Sequence, residues 1–154
     1  MKLNAKYFVV SMLIVVLLIP GQVFGSSNKA KTSSPSDNVG PFTIFDPNFK
    51  YLDDGTGNLS NIGDSTVRVW GQTLGTQRVD TIGVQVTLQR WTGSQWVDVN
   101  TGANSTFSNA SYAYSSREIS VSTGYYYRVK TRHWIVYGDV REEGTVYSDS
   151  LLIK

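Results

Sequence analysis

The chain has 154 residues, 14 Lys and Arg against 12 Asp and Glu, one His and no Cys. The lack of cysteine excludes disulfide staples, thiolate metal sites, a cysteine nucleophile and a lipidated N-terminal cysteine. Stability therefore rests on a packed core, which suits one folded domain rather than two at this length.

Residues 1–25 read as a secretion signal. Lys2 and Lys6 form a short basic head, residues 7–19 are apolar apart from Ser11, and Pro20-Gly21 breaks the run before Val23-Phe24-Gly25. This three-part pattern places cleavage before Ser26. The apolar run is about 13 residues, roughly 20 Å as a helix, against a hydrocarbon core of about 30 Å. It is short for a permanent anchor, so the expectation is a secreted protein that meets the membrane only through its leader; a retained N-terminal anchor is the alternative. Lys2 and Lys6 leave with the leader and no acid does, so the mature chain is formally neutral and the whole-chain pI near 8.8 overstates its basicity. A neutral domain has no bulk attraction for nucleic acid or anionic lipid, and an electrostatic partner must be met by a local patch.

Residues 26–40, SSNKAKTSSPSDNVG, hold too little apolar surface to offset their ordering entropy and are expected as a disordered linker. The folded domain is expected over residues 41–154. Residues 41–50 carry Phe42, Ile44, Phe45 and Phe49 for docking, and Asp53-Asp54-Gly55-Thr56-Gly57-Asn58 supplies turn chemistry. That turn offers oxygen ligands at Asp53 and Asp54 for a weak calcium site, but lacks the spaced acids of a helix-loop-helix calcium loop, and an ordinary turn is the simpler reading.

Beyond it the apolar period is two. Val67 and Val69 alternate with Thr66, Arg68 and Trp70, and Ile82, Val84, Val86 and Leu88 alternate with Gly83, Gln85, Thr87 and Gln89. WTGSQW sets Trp91 and Trp96 opposite each other across a tight turn at Gly93-Ser94, and Val97 and Val99 continue the second arm. Residues 101–111 read as a Ser/Asn/Thr-rich loop or edge region, followed by a weak strand through Tyr112 and Tyr114. Ile119 and Val121 lead to a turn at Thr123-Gly124. Residues 125–137 form the longest strand, Gly138-Asp139 a turn, and residues 145–153 the last strand.

About seven short antiparallel strands predict an all-β, two-sheet sandwich of immunoglobulin or fibronectin type III character, with a small closed barrel as the alternative. Gly124-Tyr125-Tyr126-Tyr127-Arg128-Val129 resembles the tyrosine-bearing penultimate strand of fibronectin type III domains, in which one tyrosine hydroxyl ties the strand to a corner. A wider set of blocks is Ser60-Asn61-Ile62-Gly63, Val79-Asp80-Thr81-Ile82-Gly83-Val84, Leu88-Gln89-Arg90-Trp91, Gly93, Trp96-Val97-Asp98-Val99 and the same tyrosine run. Together they resemble an uncharacterised family of small secreted proteins of Gram-positive bacteria, the domain-of-unknown-function family 6147 (DUF6147), over about residues 51–153. That resemblance implies a bacterial exported protein and carries no activity or functional residue with it. In a bacterium the sequons at Asn58, Asn104 and Asn109 stay unmodified; in a eukaryotic secretory pathway they are glycosylation acceptors.

Catalytic signals are sparse. His133 is the single His and falls on the apolar, odd-numbered face of the long strand, where a core residue with one hydrogen bond fits better than a general base. No G-x-S-x-G elbow or zinc ligand set is present. A hydrolase needing only two carboxylates would have Glu118, Glu142 and Glu143 to draw on, all at polar edges or turns. The expectation is a monomeric, non-enzymatic protein.

The strongest binding signal is the even face of the long strand: Tyr126, Arg128, Lys130, Arg132 and Trp134. Alternate residues point the same way, about 6.6 to 7 Å apart, so three cations line up between two rings suited to stacking on a sugar. Arg68 and Trp70 extend this surface if their strand shares the sheet. The plainer reading is a solvated face whose cations pair with Glu142 and Glu143. As a functional strip it suits cell-wall polymer or polysaccharide; the alternatives are a protein or self-association edge around the region before Tyr112, and a small hydrolase.

Overall fold

The computed structural model describes residues 29–36 and 43–154. The leader expected at residues 1–25 lies outside the described residues, as do 26–28 and 37–42 of the linker and first segment. The described chain is all-β and antiparallel: β1 Thr43–Ile44, β2 Leu52–Gly63, β3 Thr66–Trp91, β4 Trp96–Thr101, β5 Ser105–Ser120, β6 Tyr125–Tyr137, β7 Val140–Tyr147 and β8 Leu151–Ile153. No helix occurs among the described residues, and none there is long and apolar enough to cross a membrane.

One strand organises the fold. The two strands expected around Val67 and Ile82 are halves of the 26-residue β3, which bends near Gly75 instead of ending in a turn. Its first half pairs with β2 and β5, and its second half pairs with β6, β4 and the start of β5. Beyond β6 lie β7 and then β1, with β8 beside the start of β6. All eight strands form one hydrogen-bonded sheet, curled so that its two halves face each other. The core fills the space between them: Val67 and Val69 from one half, and Val84, Val86, Leu88, Val129 and Ile135 from the other, all fully buried. Across the bend the buried apolar residues of β3 change from odd-numbered to even-numbered, and the ladder to β5 shifts there by an odd number of residues: Leu74 pairs with Tyr112 and Val79 with Ala110, five steps on β3 against two on β5.

The glycines of this core mark where the halves touch. A Cβ on Gly71 would lie 2.8 Å from Thr131 Cγ2, 3.0 Å from Val86 Cγ2 and 3.1 Å from Val84 Cγ2. A Cβ on Gly55 would lie 2.6 Å from the Phe45 ring and 2.7 Å from the His133 ring. The Asp53–Asn58 stretch is therefore not a turn: its glycines let β2 run straight across the opposite layer.

Three other expectations change. Of the two readings of the Ser/Asn/Thr-rich stretch, the edge holds for residues 105–111, which do not precede a weak strand but open the 16-residue β5, laddered on β3 along nearly its full length. The last strand divides into β7, which begins at Val140 as the hairpin partner of β6, and β8. Part of the linker region is ordered: the Lys31 N–H donates to Gly124 O at 2.6 Å, Lys31 Nζ lies 5.0 Å from the Tyr125 ring centre, and Pro35 is buried. The aromatic hairpin forms as read, with Trp91 opposite Trp96, ring centres 5.4 Å apart and Gly93 at φ 104°. Tyr127 provides the corner, its hydroxyl donating to Ser122 O at 2.9 Å.

Candidate functional site

The even face of β6 lies on the outer surface of the curled sheet, yet two of its five members are largely buried there by neighbouring side chains. Arg128 is 7% exposed, its guanidinium stacked 4.4 Å from the ring centres of both Trp96 and Tyr147, with Nε donating to Gln89 Oε1 at 2.8 Å. Burial pulls this guanidinium below the ordinary arginine value, and Asp98 partly opposes that shift. Trp134 is 4% exposed because its indole lies across Gly83, where a side chain would collide with the ring. Tyr126 is half-buried opposite Leu152 of β8. Of the three cations that alternation aligns, Arg128 is thus packed into a stack, while Arg132 lies beside Glu143 as the plainer reading expects.

The remaining two cations border a groove. Lys130 Nζ donates to Asp98 Oδ2 at 2.9 Å, and Asp98 Oδ1 accepts from Gln89 Nε2 at 2.6 Å. Partial burial works to raise the Asp98 carboxyl, but these two hydrogen bonds and the Lys130 charge outweigh it and hold the group below the usual carboxylate range. Arg132 lies 4.8 Å from the Trp134 ring centre, its Nε 3.7 Å from Glu143 Oε1, while Glu143 Oε2 accepts from Arg141. Between them, Gln85, Thr87, Thr101, Thr145 and Tyr147 complete a groove of about 340 Å³.

Glu142, expected to pair with a cation, faces the interior at 6% exposure. Its carboxylate accepts the backbone N–H groups of Lys50, Tyr51 and Leu52 at 2.7, 2.8 and 2.6 Å. Burial acts to raise this carboxyl, and the three donors more than reverse it, holding it below its ordinary value. The contact joins the start of β2 to β7, two elements with no ladder between them. Farther along, that seam opens into a cleft of about 460 Å³ between residues 54–58 of β2 and residues 146–149, with Trp70 and Gln72 on its wall. Tyr147 lines both the cleft and the groove, so the two adjoin.

Arg68 and Trp70 do not extend the β6 strip directly. They sit on the outer face of the first half of β3, away from the residues that pair with β6. Arg68 pairs with Glu118 at 2.8 Å in the open, worth about 0 to 1 kcal/mol. Trp70 reaches the site only through the seam. Asp53 and Asp54 are exposed residues of β2, and Asp54 Oδ1 accepts the Gly55 N–H at 2.8 Å. Among the described residues no group of three or more His, Cys, Asp and Glu is placed to hold a metal.

His133 is fully buried and has two polar partners rather than one, Nδ1 at 2.8 Å from Thr73 Oγ1 and Nε2 at 2.8 Å from Thr131 Oγ1. The Thr73 hydroxyl donates to Gly83 O at 2.9 Å, so it accepts from Nδ1–H, and the Thr131 hydroxyl then donates to Nε2. Burial lowers this imidazole to about 4. Among its contacts there is no carboxylate and no nucleophile other than these two structural hydroxyls.

Sequence reasoning missed Tyr147 and assigned Glu142 to the surface instead of the interior bridge. Alternation along β7 carried the signal: Glu142 shares parity with the buried Gly144 and Val146, while Glu143, Thr145 and Tyr147 face outward with Lys130 and Arg132.

No protein-family model matches the chain, and no curated protein matches it. A crystal structure of a protein from Archaeoglobus fulgidus is similar over 67% of this chain and 98% of that one, at 16% sequence identity and a TM-score of 0.36.

Proposed function

We propose that this protein is a secreted, non-enzymatic β-sandwich module that binds a cell-envelope polysaccharide along its outer face, with Lys130 and Arg132 taking the anionic substituents of the polymer. The groove beside Tyr147 carries the reading: two half-exposed cations, one of them paired with Asp98, a ring, and amide and hydroxyl groups from Gln85, Thr87, Thr101 and Thr145 share one open surface. Such a set offers stacking, hydrogen bonds to sugar hydroxyls and charge for carboxylate or phosphate. The leader pattern and the resemblance to the DUF6147 family support an exported bacterial protein, for which the envelope is the nearest polyanion. His133 supports the non-enzymatic part, since both its nitrogens are engaged by structural hydroxyls. The sandwich description rests on the two facing halves of the sheet, joined through β3.

Pelleting of the Ser26–Lys154 protein with purified cell walls tests this reading. Retention should fall as salt rises and drop several-fold in Lys130→Ser/Arg132→Ser at low salt, with an unchanged melting transition. Equal pelleting of variant and wild type would remove the cationic groove from the account. Arg128 is left out of the replacement because it is buried and stacked.

A second reading is self-association through β5. Among the described residues β5 pairs with β3 alone, residues 105–116 of it carry no charge, and Phe107, Tyr112 and Tyr114 are exposed. A concentration-dependent sedimentation shift favours it.

A further inference from the structure

The cleft at the seam has a different chemistry from the groove next to it. β2 and β7 run side by side but share no ladder; Glu142 bridges their beginnings, and beyond that bridge the two elements part around about 460 Å³. That volume lies within the roughly 300 to 1,000 Å³ that small-ligand sites occupy. One wall is a block of four side chains in register on the outer face, Asn58 opposite Trp70 and Thr56 opposite Gln72. Directly opposed residues lie about 4.5 to 5.5 Å apart, so an indole face sits within one sugar width of two amides. The other wall is Tyr147 with Ser148 and Asp149.

The polar lining points to an uncharged ligand rich in hydroxyls. Thr56 also lines this wall, but its hydroxyl oxygen is buried beyond the reach of water and so of a ligand hydroxyl, which leaves the Asn58 and Gln72 amides as the hydrogen-bonding groups on this side. The charged side chains lining the cleft are the carboxylates Asp54 and Asp149, which accept from hydroxyls and repel anions. Lys130 and Arg132 lie on the far side of the shared Tyr147. A planar ring beside paired amide and carboxylate groups matches a pyranose, whose C–H face stacks while its hydroxyls bond at the edge.

We infer that the seam cleft is a subsite for one uncharged pyranose unit of a glycan, held against Trp70 and bonded by Asn58 and Gln72, next to the groove that takes the anionic substituent of the same polymer. The inference rests on the polysaccharide reading above but has its own ligand and its own residues.

The test is a titration of the isotopically labelled Ser26–Lys154 protein with neutral hexasaccharides of glucose, N-acetylglucosamine and mannose, followed by NMR. The Trp70 indole N–H and the Asn58 and Gln72 side-chain amides should shift together and saturate in the millimolar range with at least one sugar. Trp70→Ala should abolish the amide shifts, and Asn58→Ala, an exposed outer-face change, should weaken binding several-fold. Lys130→Ser/Arg132→Ser should bind the neutral sugar as wild type does. If that double variant loses cell-wall pelleting yet keeps the neutral-sugar shifts, both readings stand; if wild type never pellets but the shifts remain, the groove reading fails alone. No shift at these three side chains with any of the sugars up to about 10 mM, or equal binding by Trp70→Ala, overturns the inference.

Discussion

Lowering the pH should destabilise the folded protein through His133, which stays neutral in the fold while it takes up a proton in the unfolded chain. The ring is fully buried and sits at about 4 in the folded protein against about 6.5 in an unfolded chain. Between those values the unfolded state binds more protons than the folded one, so stability rises with pH and is lost as pH falls from about 6.5. One pK unit corresponds to about 1.4 kcal/mol, which gives a loss of about 2 kcal/mol at pH 5 and about 3 kcal/mol at pH 4. The structural reason is burial, which penalises the charged ring; the hydroxyl relay is a further feature that protonation would disturb. A second N–H on the ring would force the Thr131 hydroxyl to turn away from Nε2 and donate to Val146 O, 3.3 Å away. Urea unfolding followed by tryptophan fluorescence at pH 7 and pH 5 measures the loss, and His133→Gln supplies the control because it keeps polar groups at the site but does not titrate. The variant should be less stable at pH 7 and lose much less than wild type between pH 7 and 5. Equal losses in the two proteins would refute the assignment of this window to His133.

Three further perturbations probe the frame around the site. Gly71→Ala should cost roughly 1 to 3 kcal/mol in urea unfolding, since its Cβ would meet Thr131 and Val86 at 2.8 and 3.0 Å in a packed interior; a neutral result would mean the halves are not in contact there. Glu142→Gln should cost about 2 to 4 kcal/mol, because one charged acceptor of three backbone N–H groups becomes a neutral amide with a single acceptor oxygen. The Glu142 carboxyl lies below its ordinary value, so its stabilisation is present above about pH 4.5 and fades at lower pH, a loss the Gln variant should not show. Arg128→Ala should lower the melting transition by several degrees through lost stacking on Trp96 and Tyr147, whereas Lys130→Ser should leave it nearly unchanged.

Strand alternation and the aromatic hairpin were legible because they depend on neighbours in sequence: Val67 with Val69, Ile82 through Leu88, and Trp91 against Trp96 across Gly93. The bend of β3 was not, because the chain turns there without Pro or an Asn-Gly pair, using Gly75 packed beneath Ile135. Glycines 55 and 57 suggested a turn, yet their role is set by His133 and Thr131 more than seventy residues away. The cations of β6 were placed on the correct face, but local alternation carries no information about what lies over them. Trp96 and Tyr147 come from two other strands, and together they turn Arg128 from a surface charge into a packed one. The bridging role of Glu142 was hidden for the same reason: its three partners at residues 50–52 lie about ninety positions upstream.

The most direct test of envelope binding is an amide chemical-shift map of the Ser26–Lys154 protein titrated with soluble fragments of purified cell wall. The account predicts shifts concentrated on Gln85, Thr87, Lys130, Arg132, Thr145 and Tyr147, with continuation across the seam to Thr56 and Asn58. Shifts confined to residues 105–116 of β5, or none at all, would contradict it.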